Sequence, residues 1–243
     1  MILAQLSDPH LSVRDWAAAD AFALAVRAVL GLRPVPDAVL VSGDIADTAD
    51  AREYARAREL VGRLPMPVHV LAGNVDDRDR LRDAFGGPPG PRRYVAEVAG
   101  VRLLACDTSV PGAHGGALGS DGLAWLAAEL AAAPDTPTIL ALHHPPLAIG
   151  IEAFDAIGLA AADAVALTEI LAGAPQVVRI VSGHVHRAVF ATLGTIPFAA
   201  CPSTYLQSRL ELGDGPLELV PAPPAMLVHV WRDGRMVSHV QPI

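Results

Sequence analysis

The sequence predicts an α/β fold, in which helices cover a sheet built from β-α-β units. Short apolar runs alternate with amphipathic stretches through the first three quarters of the chain, as such units require. A chain of 243 residues, 52% of them apolar and 18% charged, can bury a sizeable core without disulfides. We therefore expect one domain that spans residues 1–243.

Six apolar runs are predicted to be strands of this sheet. They are Ile2–Leu6, Ala38–Ser42, Val68–Ala72, Arg102–Cys106, Thr138–Leu142 and Val177–Val181. Between them, apolar residues recur at helical spacing, which predicts helices. These helices are Ala18–Leu30, Ala51–Leu64 and Asp121–Ala132, the last with Ser120 as its N-cap.

The last quarter of the chain has a different pattern, with short β-like runs joined by turns that contain Gly or Pro. The runs are Val189–Leu193, Phe198–Cys201, Leu227–Trp231 and Met236–Val240, with Asp233-Gly234 as a turn between the last two. We expect these runs to form a second, more antiparallel sheet. The Gly- and Pro-rich stretches 86–91 and 221–224 are interpreted as loops, because a core-type strand follows each of them closely.

Charge and hydropathy exclude several classes of function. The net charge of -8 argues against a nucleic-acid polymer as partner, because phosphate binding needs a basic surface. No basic segment followed by an apolar stretch opens the chain, and no uncharged apolar run reaches the ~18 residues that a membrane span needs. The two cysteines, Cys106 and Cys201, are expected to be buried thiols. A cytoplasmic protein with no membrane partner is the expectation.

Potential metal ligands follow strand after strand at its carboxyl end. They are Asp8 and His10 after the first strand, Asp44 after the second, Asn74 after the third, His143 after the fifth, and His184 and His186 after the sixth. Ligands of open α/β sheets bind outside the carboxyl ends of the strands, so these seven groups can converge. Each motif is weak alone, but their repeated order indicates one shared site.

Carboxylate, carboxamide and imidazole groups together suit two divalent ions that share a carboxylate. The set contains no thiolate, which disfavours a structural zinc site of the cysteine type. Manganese, iron or zinc in a catalytic pair is therefore predicted, with Mn²⁺ and/or Fe²⁺/Fe³⁺ preferred over Zn²⁺. Gly43, Gly73 and Gly183 each precede a candidate ligand, at turns where positive φ or close backbone approach favours glycine.

These motifs resemble the ordered signature of the calcineurin-like metallophosphoesterases. The matching segments are Asp8-Pro9-His10, Gly43-Asp44, Gly73-Asn74, His143-His144-Pro145-Pro146 and Gly183-His184-Val185-His186. Two further segments, 107–112 and 140–146, resemble the class III bacterial cyclic nucleotide phosphodiesterases in particular. The resemblance spans Leu3 to the final strand. It implies a four-layer αββα sandwich of the metallo-dependent phosphatase type, with two mixed β-sheets flanked by helices.

The resemblance also implies a dinuclear metal centre that hydrolyses small phosphodiesters such as 3′,5′- or 2′,3′-cAMP, and it suggests a homodimer. By this match one metal would be held by Asp8, His10, Asp44 and His186. The other would be held by Asp44 as the bridge, Asn74, His143 and His184.

One position departs from the family pattern. The family usually has His after the Gly-Asn pair, close to the leaving group, whereas this chain has Val75. Valine cannot donate a proton, and general-acid help to a poor leaving group contributes ~10²–10⁴-fold in rate. We therefore expect activated aryl phosphodiesters to be hydrolysed better than 3′,5′-cyclic nucleotides. His114 is a substitute donor, although a solvated loop histidine is the alternative interpretation.

Other polar residues near the motifs have two interpretations each. His144 is expected to support the site by hydrogen bonding rather than to bind metal. Arg187 could pair with a phosphate oxygen or form a structural salt bridge. Asp76 and Asp77 could orient ligands, although acidic residues also favour the helix N-terminus expected near Arg78.

The ligands alone leave the reaction open. A phosphomonoesterase or a nucleotide pyrophosphohydrolase could use the same centre. A non-catalytic protein that binds metal or nucleotide is a third alternative, since Val75 replaces the usual donor.

Overall fold

A computed structural model describes residues 1–87 and 89–243, so Pro88 in the predicted loop at 86–91 lies outside the described residues. The helices are α1 (Ala17–Gly31), α2 (Ala51–Val61), α3 (Arg78–Phe85), α4 (Gly119–Ala132), α5 (Glu152–Asp155) and α6 (Ala161–Ala172). The strands are β1 (Ile2–Leu6), β2 (Ala38–Val41), β3 (Val68–Val70), β4 (Tyr94–Val98), β5 (Val101–Ala105), β6 (Thr138–Ala141), β7 (Val177–Ser182), β8 (Val189–Leu193), β9 (Ile196–Ala200), β10 (Gln207–Ser208), β11 (Leu219–Val220), β12 (Ala225–Arg232) and β13 (Arg235–Pro242).

Two mixed sheets form the centre of the fold. The first has the order β13-β12-β1-β2-β3 and the second β4-β5-β6-β7-β9-β8, while β10 and β11 pair separately. Within them β1-β2-β3 and β5-β6-β7-β9 run parallel, and the strands β12, β13, β4 and β8 are antiparallel to their neighbours. The predicted α/β class is confirmed, but the six predicted strands do not share one sheet: β1, β2 and β3 lie in the first sheet and β5, β6 and β7 in the second.

Three apolar cores separate four layers. On β1, Ala4 and Leu6 pack into the core under α1, α2 and α3, while Leu3, directly before Ala4, faces the core that joins the two sheets. The third core holds the second sheet against α4 and α6, with Leu126 and Leu167 fully buried. Alternate residues of a central strand thus face two different cores. The predicted αββα sandwich is confirmed.

The prediction for the last strands was wrong. β8 and β9 extend the second sheet, whereas β12 pairs antiparallel with β1 of the first sheet, for example Leu3 with His229. An apolar run shows that a strand is buried, but it does not show which sheet edge the strand joins. Here Met226 and Val228 complete the core under α1, which places β12 beside β1.

The structure also corrects helix details. Leu118, not Ser120, is the N-cap of α4, and its N–H and that of Gly119 donate to the Asp163 carboxylate at 2.6 and 2.9 Å. A side chain from α6 therefore caps α4, which sequence spacing cannot reveal. α2 ends at Val61 rather than Leu64, and α6 was not predicted because its apolar residues surround the helix without a clear polar face.

The remaining sequence expectations concern thiols and membrane spans. Cys106 and Cys201 are buried and free, as predicted. Within residues 1–87 and 89–243, none of the helices has the length and hydropathy that a bilayer crossing requires.

Candidate metal centre

The loops that follow five strands meet at the carboxyl edges of both sheets. The loops after β1 and β2 are joined by the Asp8 N–H, which donates to the Gly43 carbonyl at 3.1 Å. The loop after β7 is joined to them by the His184 N–H, which donates to the Asp8 carboxylate at 3.0 and 3.1 Å. The structure thereby brings together all seven groups that the sequence predicts as metal ligands.

The first cluster consists of Asp8, His10, Asp44 and His186, whose ligand atoms lie within 4.8 Å of one another. The Nε2 atoms of His10 and His186 are 3.0 Å apart, and His186 Nε2 is 3.7 Å from Asp8 Oδ1. The side chains of Asp8, Asp44 and His186 are buried, and that of His10 is partly exposed.

The second cluster forms around Asn74. Its Oδ1 lies 3.2 Å from His143 Nε2 and 2.9 Å from His184 Nδ1. Asp44 connects the two clusters, because its Oδ2 is 3.5 Å from His10 Nε2 and 3.4 Å from His143 Nε2. One carboxylate oxygen therefore lies within reach of both groups of ligands.

The directions of the ring nitrogens fit divalent ions. Nδ1 of His143 donates to the Ser42 carbonyl at 2.8 Å, and Nδ1 of His186 donates to the Leu206 carbonyl at 2.9 Å. Each Nε2 then faces acceptor atoms of Asp44, Asn74 or Asp8. Facing lone pairs repel unless positive charge lies between them, and metal-binding histidines typically donate their second N–H in this way.

The electrostatics of the cluster are those of buried carboxylates beside imidazoles. Burial by itself would raise the pKa of Asp44, but the adjacent His143 holds the pKa of this carboxyl well below its usual range. Burial opposes the charging of His143, yet Asp44 raises the pKa of His143 to about 9. The pKa of His184 is well below its usual range, because burial and the neighbouring His143 both oppose its charging. The cluster therefore stabilises added positive charge next to Asp44.

The candidate ligands have an unusual backbone conformation. The φ angle is +49° at Asp8, +45° at His10, +51° at Asp44, +69° at His184 and +51° at His186. A residue with a Cβ atom in this region costs on the order of 1–3 kcal/mol, and such residues concentrate at functional sites. The fold therefore tolerates strain at five of the seven groups.

Two glycines in this region permit close approach. A Cβ atom at Gly73 would lie 2.0 Å from Asp44 Oδ1, and one at Gly43 would lie 2.3 Å from His143 Nδ1. Gly43 also has a φ of +103°. The loops can pack this tightly only without side chains at these positions.

His144 supports the cluster from behind. Its Nδ1 lies 2.8 Å from Thr108 Oγ1, and its Nε2 donates to the His114 carbonyl at 3.0 Å. Burial, followed by the adjacent His143, lowers the pKa of His144 to about 3, so the ring is neutral. With both nitrogens engaged and its ring centroid 4.5 Å from that of His184, His144 packs against a candidate ligand.

His114 and Arg187 contact other groups. The His114 side chain is exposed, and the residue contributes its carbonyl to His144. Arg187 donates from Nη1 to the Ser208 carbonyl at 3.0 Å and forms no ion pair with the described residues. Both remain predictions as catalytic residues.

Asp76 connects two ligand loops. Its carboxylate accepts from the N–H groups of Ile45 and Ala46 at 3.1 Å each and from that of Gly73 at 2.9 Å. Asp77 instead caps α3, where its side chain accepts from the Arg80 N–H at 2.9 Å. The acidic pair thus divides between an orienting role and a helix cap.

Two cavities lie on either side of the clusters. One of about 580 Å³ is bordered by Asn74, Val75, Arg78, Ser109 and Val110, and Arg78 is a site residue that the sequence analysis missed. Its only sequence signal is a cation four positions after Asn74. The other cavity, of about 280 Å³, is bordered by His10, Asp47, His186, Tyr205 and Leu206.

Comparison with known proteins assigns this chain to a class. The sequence profile of the calcineurin-like phosphoesterases matches residues 1–188, and the chain belongs to this family. It is a hydrolase of phosphate esters, and members of the family use a dinuclear centre of divalent metal ions. The predicted family and enzyme class are confirmed.

Two sequence relatives and one solved structure show which members of the family this chain is similar to. A Synechococcus protein named as a probable cyclic nucleotide phosphodiesterase is 36% identical over 90% of this chain and 88% of its own length. A glycerophosphodiester phosphodiesterase of Enterobacter lignolyticus is 34% identical over 98% of this chain and 90% of its own. A dimetal phosphatase from Danio rerio has a TM-score of 0.76 and 15% identity, covering 100% of this chain and 96% of its own, and it shares the fold.

Proposed function

We propose that the protein is a two-metal phosphodiesterase, in which Asp8, His10, Asp44 and His186 hold one ion and Asp44, Asn74, His143 and His184 hold the other. The observation that carries this proposal is the position of Asp44 Oδ2, within 3.5 Å of His10 Nε2 and 3.4 Å of His143 Nε2. Oxygen and nitrogen ligands without thiolate favour manganese or iron, with zinc as the alternative.

Two divalent ions at this position would supply an activated water and Lewis-acid polarisation of the phosphoryl oxygens. The protein supplies orientation. Asn74 turns Oδ1 toward His143 and His184, so its Nδ2 is left to donate to a phosphoryl oxygen from the wall of the larger cavity. Carbonyl groups fix the rings of His143 and His186, and His144 stays neutral behind them.

Diesters fit this site better than monoesters. A phosphodiester carries an organic group on each side of phosphorus, and cavities of about 580 and 280 Å³ flank the clusters on the Asn74 and His186 sides. Relatives named for cyclic nucleotides and for glycerophosphodiesters support the same class. Among these substrates, cyclic nucleotides and activated aryl phosphodiesters are the proposed ones.

Val75 sets the proposed preference within that class. It borders the larger cavity, and its N–H donates to Asp44 Oδ1 at 3.1 Å. An apolar side chain at this position gives no proton to the leaving group. Esters whose leaving groups depart without a proton, such as aryl phosphodiesters, should therefore react faster than 3′,5′-cyclic nucleotides.

Elemental analysis combined with a substrate panel tests this function. Metal-loaded protein would be assayed with an aryl phosphodiester, an aryl phosphomonoester, and 2′,3′- and 3′,5′-cyclic nucleotides. We expect about two ions per chain and faster turnover of the aryl diester than of the monoester. Faster turnover of the monoester would favour a phosphomonoesterase. No turnover of any substrate would favour a non-catalytic binding protein.

Substitution at position 75 tests the preference. Val75→His should raise activity on a 3′,5′-cyclic nucleotide more than on the aryl diester, because only the former needs a proton in the transition state. Val75→Leu is the matched control and should leave the ratio of the two activities unchanged. An equal effect of Val75→His on both substrates would contradict the preference.

We also propose that residues 1–243 form one domain and that two copies associate. Pairing of the late strand β12 with β1 supports one domain, because the first sheet needs both ends of the chain. Leu210, Leu212 and Leu217, beside the β10–β11 pair, are 50%, 67% and 44% exposed and supply an apolar surface for a second copy. Light scattering of the Leu210→Ser/Leu212→Ser variant should give half the wild-type mass; a monomeric wild type would contradict association.

A further inference from the structure

The guanidinium group of Arg78 is held rigidly at the wall of the larger cavity. Its Nε lies 3.0 Å from Asp107 Oδ2 and donates to Ser109 Oγ at 3.1 Å, and its Nη2 donates to the Ser109 carbonyl at 2.5 Å. The Asp107 side chain is completely buried, and the Arg78 side chain is 23% exposed. Both partners thus fix one side of the guanidinium, and Nη1 makes no hydrogen bond within residues 1–87 and 89–243.

The same cavity wall carries Asn74 and Val75. Asn74 belongs to the second cluster, and Val75, Val110 and Pro111 give this side of the cavity an apolar surface suited to an organic ester group. Arg78 follows them at the start of α3. A leaving group bound against Val75 would therefore meet a fixed cation that has one free donor.

The acidic residues around this cavity are engaged by other groups, so they leave the free Nη1 donor of Arg78 available. Asp76 is engaged by three backbone N–H groups, Asp77 caps α3, and Asp79 pairs with Arg82. Asp107 fixes Arg78 from its other side.

We propose that Arg78 is a catalytic residue that stabilises the negative charge developing on the departing ester oxygen, in place of the proton that position 75 cannot give. The proposal rests on the proposed phosphodiesterase function. A water-derived oxygen forms the new bond to phosphorus while the bond between phosphorus and the leaving oxygen breaks, and the electron pair of the broken bond stays on the leaving oxygen. The guanidinium keeps its own proton, as arginine does in proteins, and the released oxyanion takes a proton from water.

A series of diesters with different leaving groups separates this role from a structural one. We would compare wild type, Arg78→Met and Arg82→Met on methyl aryl phosphates whose aryl group ranges from 4-nitrophenyl to phenyl. Arg82 is the matched control, because it lies on α3 and pairs with surface acids. We expect Arg78→Met to lower kcat/KM by about 10²-fold or more for phenyl and by about tenfold or less for 4-nitrophenyl. Arg82→Met should follow wild type.

Two further variants keep the test independent of folding. Arg78→Lys retains the charge and should keep most of the wild-type dependence on the leaving group. Guanidinium ion added to Arg78→Ala should restore activity on the phenyl ester more than on the 4-nitrophenyl ester.

The possible results distinguish failure of the Arg78 role from failure of the proposed phosphodiesterase function. An equal loss on every ester in Arg78→Met, or a lowered metal content that accounts for the loss, would overturn the role of Arg78 and leave the phosphodiesterase function intact. If wild-type protein that carries two ions hydrolyses none of the esters, the proposed function fails together with this role.

Discussion

The carboxylate of Asp76 holds the loops after β2 and β3 together, and its removal should loosen the candidate metal centre. It accepts from the N–H groups of Ile45, Ala46 and Gly73 at 3.1, 3.1 and 2.9 Å. Hydrogen bonds to a charged partner contribute about 1.5–3 kcal/mol each. Because the side chain is half-buried, water can reach part of the site, so we take the lower end for all three bonds. These bonds would contribute about 4.5 kcal/mol, but burial and the nearby Asp44 carboxylate raise the pKa of Asp76 to about 6 and so offset much of this gain. Asp76→Ala should then lower the free energy of unfolding by about 1–3 kcal/mol.

Urea denaturation of metal-free protein measures this loss directly, and titration with Mn²⁺ measures its effect on the site. We expect weaker metal binding by about 10–100-fold, as is typical when groups that orient ligands are removed. Asp76→Asn is the matched control, because it keeps the size and one acceptor oxygen, and it should cost about half as much. A loss below about 1 kcal/mol with unchanged Mn²⁺ affinity would refute the role of Asp76.

Three other substitutions test the packing around the site. Gly73→Ala should lower kcat by about 10²-fold with unchanged circular dichroism, because its Cβ would lie 2.0 Å from Asp44 Oδ1; activity within about threefold of wild type would contradict the close approach. Burial, aided by Arg179, lowers the pKa of His229 to about 3, so below about pH 6.5 the unfolded chain gains a proton that the native state does not. Between pH 7 and pH 5 wild type should lose about 2 kcal/mol more unfolding free energy than His229→Gln, whereas equal losses would contradict a neutral His229. Leu40→Ala, in the core between the sheets, should cost about 2–5 kcal/mol in thermal or urea unfolding, and a cost below about 1 kcal/mol would mean that this core can collapse around the gap.

The strands and the ligand positions could be predicted because they depend on local patterns. Each central strand is an apolar run that ends at a polar residue, and β1 and β8 have the predicted bounds. Parallel strands in one sheet end on the same side, so Asp8 after β1 and Asp44 after β2 could be assigned to one edge before any coordinates were known, whereas His143 follows β6 of the other sheet. The order of the motifs along the chain was sufficient for this step.

The missing parts depend on contacts between distant segments. Nothing local to β12 indicates that it pairs with β1, since the pairing follows from the core that Met226 and Val228 share with α1. Arg78 was expected only as a helix start, and its ion pair with Asp107 joins the first sheet's α3 to the loop after β5. Asp163 capping α4 is a third case, because its carboxylate comes from 44 residues away along the chain.

Backbone strain and rigid support together indicate what the site is built for. Positive φ at Asp8, Asp44 and His184 disfavours the native state, and burial of two carboxylates disfavours it further. Five of the eight non-glycine residues with positive φ in the described part of the chain are candidate ligands whose side chains converge, and the other three, Ala49, Ala99 and Asp233, lie in loops or turns. The strands that precede the ligands are regular and mostly buried. A chain selected for stability alone would relax these turns, because glycine there would cost less. The strained conformation must therefore be maintained by what the side chains do together, and a pair of cations that share Asp44 is the arrangement that would use all of them at once.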